Sequence, residues 1–121
     1  MAVEYPGYSI YKGKPNAKIV REDAQHVYQY MTAKLGFQEQ NVVVMGRSIG
    51  TGIALELMQK IKPGALVLIS PFASIKSLAR EFAGFFGQLV AKESFDNRNN
   101  IMSVSCPTFF LHGLKDQTIS A

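Results

Sequence analysis

Residues 42–52 constrain this chain more than any other stretch. An all-apolar run, Val42-Val43-Val44-Met45, feeds Gly46-Arg47-Ser48-Ile49-Gly50-Thr51-Gly52, and beyond it Ile49, Ile53, Leu57 and Ile61 recur at every fourth residue. These two periods predict a buried strand, a sharp turn and an amphipathic helix. The turn has the form Gly-x-Ser-x-Gly, which in a nucleophile elbow holds its serine at a strained backbone position and leaves no room for side chains two residues before and after it. Ser48 is therefore the candidate nucleophile, with Gly46, Arg47 and Gly50 completing the elbow. Its hydroxyl would sit where a strand ends and a helix begins, and there the helix dipole and the Ile49 N–H favour a developing negative charge. A tight turn with serine as helix N-cap would give the same string without any chemistry. The strand pattern directly before and the helix pattern directly after favour the elbow.

The chain of 121 residues is 47% apolar, enough for about one soluble globular domain. It has no run of eighteen apolar residues, and its first residues lack the basic and apolar regions of a signal peptide, so no membrane crossing is expected and a cytoplasmic location is the default. The single Cys106 excludes an internal disulfide and fits a reducing compartment. The net charge is +4, but the 13 Lys and Arg residues are spread along the chain rather than gathered in a basic stripe. No nucleic-acid partner is expected. Two scattered histidines and one cysteine make no metal cluster, and no cofactor is expected. Gly46, Gly50 and Gly52 do not make G-x-G-x-x-G, which removes the dinucleotide-binding reading.

The segment Glu4-Tyr5-Pro6-Gly7-Tyr8-Ser9 reads as the end of a strand running into a loop that continues through Lys12-Gly13-Lys14-Pro15. Asn16 can cap a helix whose apolar positions are Val20, Ala24, Val27, Met31 and Leu35, with Gly36 as its stop. His26 lies at the edge of that stripe and is a packing or solvent-facing histidine. After Pro63-Gly64 comes a second buried-type strand over 65–69, and strand, helix, strand at this spacing implies a parallel sheet. Residues 75–90 carry apolar groups at helical spacing, as a cover over an apolar site or as a core-facing helix. Residues 94–105 show no period and read as a loop. A third strand, Thr108-Phe109-Phe110-Leu111, runs into His112-Gly113-Leu114-Lys115-Asp116, and an acid just past a parallel strand can orient a histidine base. Asp116 is that candidate; His112 fits a residue supporting the loop better than a base.

These motifs, together with Leu68-Ile69-Ser70-Pro71-Phe72-Ala73-Ser74, fall in the order found in α/β-hydrolase-domain proteins. The chain resembles the branches that hold the protein depalmitoylases and the fission-yeast polarity-type, serine aminopeptidase-like hydrolases. The resemblance implies a Ser-His-Asp serine hydrolase of acyl esters or thioesters, S-palmitoyl protein included, acting on an acylated small molecule or protein. Ser48 carries over as nucleophile, Asp116 as triad acid and the Ile49 N–H as one half of the oxyanion hole. One departure stands out: this chain has Ser9 and Tyr11 where the family's loop tends to have glycine and serine.

The resemblance also implies an incomplete α/β-hydrolase domain over residues 1–121, running from about the fourth strand to the acid loop after the seventh. The fold class expected is α/β, a partial α/β-hydrolase fold with a mostly parallel sheet and helices on both faces. The first strands with the second oxyanion donor, and the last helix and strand with the catalytic histidine, would lie outside it, as would any membrane contact. In the family order 1-2-4-3-5-6-7-8, the segment ending at Tyr5 and the strand over 42–45 are not neighbours. An apolar gap with exposed sheet edges, or a non-family pairing, is then expected, with poor solubility. Without base and second donor, most of a roughly millionfold triad advantage would be lost. The alternative function is an inactive hydrolase-like remnant or interaction module.

Overall fold

The computed structural model describes residues 1–14, 16–73, 95–117 and 119. The expected helix over 75–90 lies outside them. Three strands, β1 (Val43–Arg47), β2 (Ala65–Ile69) and β3 (Thr108–Leu111), form a parallel sheet in the order β1-β2-β3. Val43 faces Ala65 and Arg47 faces Ile69, while Leu66 faces Thr108 and Ile69 faces Leu111. The second and third strands keep the bounds the sequence predicts.

Helix α1 (Ala17–Gln29) starts as expected, because the Asn16 side chain accepts from the Lys18 and Ile19 N–H groups. It widens into a π-type turn, Tyr30–Lys34, before Gly36 turns the chain at φ +73°. Its buried face is Ala17, Val20, Ala24 and Tyr28, so Tyr28 takes the inward place expected of Val27, and Leu35 is exposed. His26 is exposed.

Helix α2 (Ile49–Met58) is not amphipathic. Ile49, Thr51, Gly52, Ile53, Ala54, Leu55 and Met58 are all buried, because two clusters meet on it. Ala54, Leu55 and Met58 pack on Leu66 and Leu68 of the sheet, whereas Ile49 and Ile53 join Val20 and Ala24 of α1 with Phe72 and Phe95. Each large side chain so buried contributes about 1.5–3 kcal/mol. Arg21 of α1 also forms a forked ion pair with Glu56 of α2 and lies 4.9 Å from the Phe95 ring centroid.

Two expectations are corrected. The stretch read as a loop contains a helical turn, α3 (Asn97–Asn100), capped by Asp96 and followed by a 3-10 turn, Ile101–Ser103, with Phe95 buried at its start. A single helical turn is too short to show a period. The other correction is at the N-terminus, where residues 1–5 form no strand. A strand exists by pairing, and the edge of β1 is separated from this segment by a groove. The strand β1 is accordingly an edge strand, not a buried one: Val43 is 59% and Met45 65% exposed. On the far edge Phe109, Phe110 and Leu111 are also more than half exposed. Among the described residues no helix is long and apolar enough to cross a membrane.

Burial pushes the Tyr28 phenol up to about 12, with Glu39 adding to the shift. A phenol that ionises near 10 when unfolded and near 12 when folded supports the fold below pH 10 and loses that support as pH rises through 12. Urea melts at pH 8 and pH 11 should therefore show a larger alkaline loss of stability in the native sequence than in Tyr28→Phe; an equal loss in both would remove Tyr28 as the cause.

Candidate active site

In a parallel sheet the carboxyl ends of all strands lie along one edge. Ser48 directly follows β1, Ser70 directly follows β2, and Asp116 lies five residues beyond β3. With strands about 4.8 Å apart, the ends of β1 and β3 lie about 10 Å apart across β2.

Ser48 has φ +49° and ψ −122°, a region that side chains avoid. Its N–H donates to the Ile69 carbonyl at 2.9 Å, which continues the β1–β2 ladder to the turn itself. Its side chain makes no capping bond to α2. The serine N-cap alternative is therefore not what this turn uses. The Ser48 carbonyl is held twice, by the Thr51 N–H at 2.9 Å and the Thr51 hydroxyl at 2.7 Å. The Ile49 N–H belongs to the first turn of α2, where amides have no acceptor within the helix.

The two elbow glycines are not equivalent. A Cβ on Gly46 would lie 2.5 Å from the Gly50 carbonyl oxygen and 2.8 Å from Thr51 Cα, both fixed backbone. A Cβ on Gly50 would meet only the Tyr5 hydroxyl, at 3.2 Å. Tyr5, whose phenol is raised by burial and then by Tyr8, thus lies over the start of α2. Arg47 is exposed and makes no ion pair among the described residues.

Two residues that no motif singles out brace the elbow. Thr51 is fully buried, and the Asn97 amide, 4% exposed, donates to the Phe72 carbonyl at 3.0 Å and reaches the Thr51 hydroxyl at 3.4 Å. The only visible hint was a threonine three residues after the serine, the spacing at which a side chain bonds back to backbone.

Asp116 turns its carboxylate into its own loop, where one oxygen accepts from the Ile119 N–H at 3.0 Å and the other lies 3.7 Å from His112 Nε2. The same Nε2 is 2.7 Å from the Ile119 carbonyl, so it carries the proton and donates there. His112 is thereby engaged in holding the loop. Ile119 in turn belongs to the buried cluster that contains Ile49, which ties the acid loop to the elbow. Among the described residues no group of three His, Cys, Asp or Glu could hold a metal ion.

Several curated proteins are similar to this chain in sequence. The lysophosphatidylserine lipase ABHD12 of Macaca fascicularis is 29% identical over 135 residues, covering 96% of this chain and 33% of that protein. The human alpha/beta hydrolase domain-containing protein 17B is 27% identical over 116 residues, covering 96% of this chain and 39% of its own. The relatives support an α/β-hydrolase family. A third, the alpha/beta hydrolase domain-containing protein aho-3 of Caenorhabditis elegans, is 29% identical and is covered to 34% of its length. The chain thus spans about a third of the length of these relatives. No family model matches it, and no solved structure gives a significant match. The parallel three-stranded sheet β1-β2-β3 with its helices is consistent with a partial α/β-hydrolase fold.

The different surroundings of the two glycines set a direct expectation. Gly46→Ala should cost about 2–3 kcal/mol through overpacking against backbone. Gly50→Ala should change stability by less than about 1 kcal/mol, since the helix propensity gained offsets a shift of the Tyr5 side chain. Urea unfolding of both variants checks this, and equal losses would contradict it.

Proposed function

We propose that this chain carries the nucleophile and acid of a serine hydrolase acting on acyl esters or thioesters, S-palmitoyl protein among them. The observation that carries the reading is Ser48 at φ +49° with an uncapping side chain, directly between a parallel strand and a helix N-terminus. One relative, the lysophosphatidylserine lipase ABHD12, is named as an enzyme that cleaves an acyl ester.

In this reading Ser48 Oγ attacks the acyl carbonyl while a histidine takes its proton, and the Ile49 N–H receives one side of the oxyanion. Asp116 holds the imidazole and stabilises its cation. The imidazolium then gives its proton to the departing alcohol or thiol as its bond to the acyl carbon breaks, leaving an acyl-Ser48 ester; water, deprotonated by the same histidine, hydrolyses that ester to the free acid and restores Ser48. The base and the second oxyanion donor would come from chain beyond these 121 residues, because His26 is exposed on α1 and His112 donates to the Ile119 carbonyl. The same observation favours the second reading, a hydrolase-like remnant or interaction module without turnover.

A fluorophosphonate probe applied to the longest product translated from this locus separates the two. Labelling should occur, vanish in Ser48→Ala, and fall by about 10⁴-fold in Asp116→Asn, the loss expected when a triad acid no longer fixes the imidazole. Labelling that survives Ser48→Ala, or its absence from every product, would leave the remnant.

A further inference from the structure

The last ladder pairs of the sheet are Arg47 with Ile69 and Ile69 with Leu111, so the next residues in register are Ser48, Ser70 and His112. The hydrogen bonds run that far, since the Ser48 N–H donates to the Ile69 carbonyl at 2.9 Å and the Ser70 N–H to the Leu111 carbonyl at 2.8 Å. Neighbours in this row are about 4.8 Å apart, with Ser70 between the nucleophile and the strand that leads to Asp116.

Ser70 stands at φ +47°, beside Ser48 at +49°. It also precedes Pro71, whose ring pushes the residue before it towards extended backbone at negative φ. Glycine would take this turn freely, so the position holds a serine at a geometry serine avoids. Asn97 fixes the turn to the elbow. Its buried amide donates to the Phe72 carbonyl, just past Ser70 and Pro71, and reaches the Thr51 hydroxyl that itself donates to the Ser48 carbonyl. The two strained serines are thus one braced unit. The Ser70 side chain is half-buried, and among the described residues its hydroxyl has no hydrogen-bond partner.

A histidine base that links Ser48 to Asp116 has to cross the end of β2. Its ring nitrogens are then both engaged, Nε2 by the serine and Nδ1 by the acid. With its Cβ on the solvent side, the Cε1–H between those nitrogens faces the sheet edge at Ser70. Resting on the hydrolase reading, we infer that Ser70 is a positioning residue for the base. Its hydroxyl oxygen accepts from the imidazole Cε1–H and favours the imidazolium that forms as Ser48 attacks. The other charged or titratable groups about this edge are Asp116 and His112 after β3, Arg47 at the end of β1 and Tyr5 over the start of α2, and the variants below leave them unchanged.

The rate of fluorophosphonate labelling as a function of pH, on the longest product translated from this locus, tests this. Ser70→Ala should still label on Ser48 but about two- to fivefold more slowly. The acid limb of its pH profile should move down by about half a unit, because the base loses an acceptor that favours its cation. Ser70→Gly should show the same two changes without a lower urea midpoint, since it relieves the backbone and still lacks the hydroxyl. An unmoved rate and profile in both variants, with Ser48 still labelled, would overturn the role of Ser70 and leave the hydrolase reading standing. A native chain without Ser48-dependent labelling would overturn both.

Discussion

The close approach of β1 to the start of α2 is the constraint on which the rest depends. Gly46 has no room for a Cβ against the Gly50 carbonyl and Thr51 Cα, so the strand can pass that near to the helix only with glycine there. The short connection in turn forces Ser48 to positive φ. Strain of this kind costs on the order of 1–3 kcal/mol and persists only when the surroundings over-determine it. Here they do: the ladder bond to Ile69 fixes one side of the serine and two bonds from Thr51 fix the other.

The bracing extends outward through α2, which is buried on nearly every side. The sheet takes Leu55 and Met58, and α1 meets Ile53 in the cluster shared with Phe72 and Phe95. Gly52 belongs to the same arrangement, since a Cβ there would lie 2.9 Å from the Phe95 ring. Arg21 links α1, Glu56 and the Phe95 ring in one contact set, so a charged side chain on α1 helps seat the aromatic group that packs beneath the elbow. The cost of the strained serine is thus spread over a helix that few changes could move.

What the sequence made legible follows from how local each signal is. The strands over 65–69 and 108–111 were readable to the residue because each is a short apolar run between breakers, and the Asn16 cap because one side chain satisfies two nearby amides. The elbow was readable because its glycines answer a local steric demand. Asn97 and Phe95 were not, since their roles arise from contacts with Thr51 and Gly52 more than forty residues away, and Thr51 shows only as a bare three-residue spacing from Ser48. The strand expected before Pro6 failed for a related reason: its residue types suit a strand, but a strand is defined by its neighbour, and the groove lies between this segment and β1.

Ser9 shows the same physics in a second turn. It stands at φ +46°, in the left-handed region that favours glycine. The backbone there adopts a conformation that glycine takes freely, and the serine side chain carries a cost of about 1–2 kcal/mol. A loop free to relax would leave that region. This one is held by the Gly7 N–H on the Tyr11 carbonyl and by the Tyr8 and Tyr11 amides on the carbonyls of Tyr5 and Tyr8. Because Tyr5 also lies over Gly50, the strained loop is tied to the first turn of α2. The half-buried Tyr5 thus stands between two serines at positive φ, one in this loop and one in the elbow.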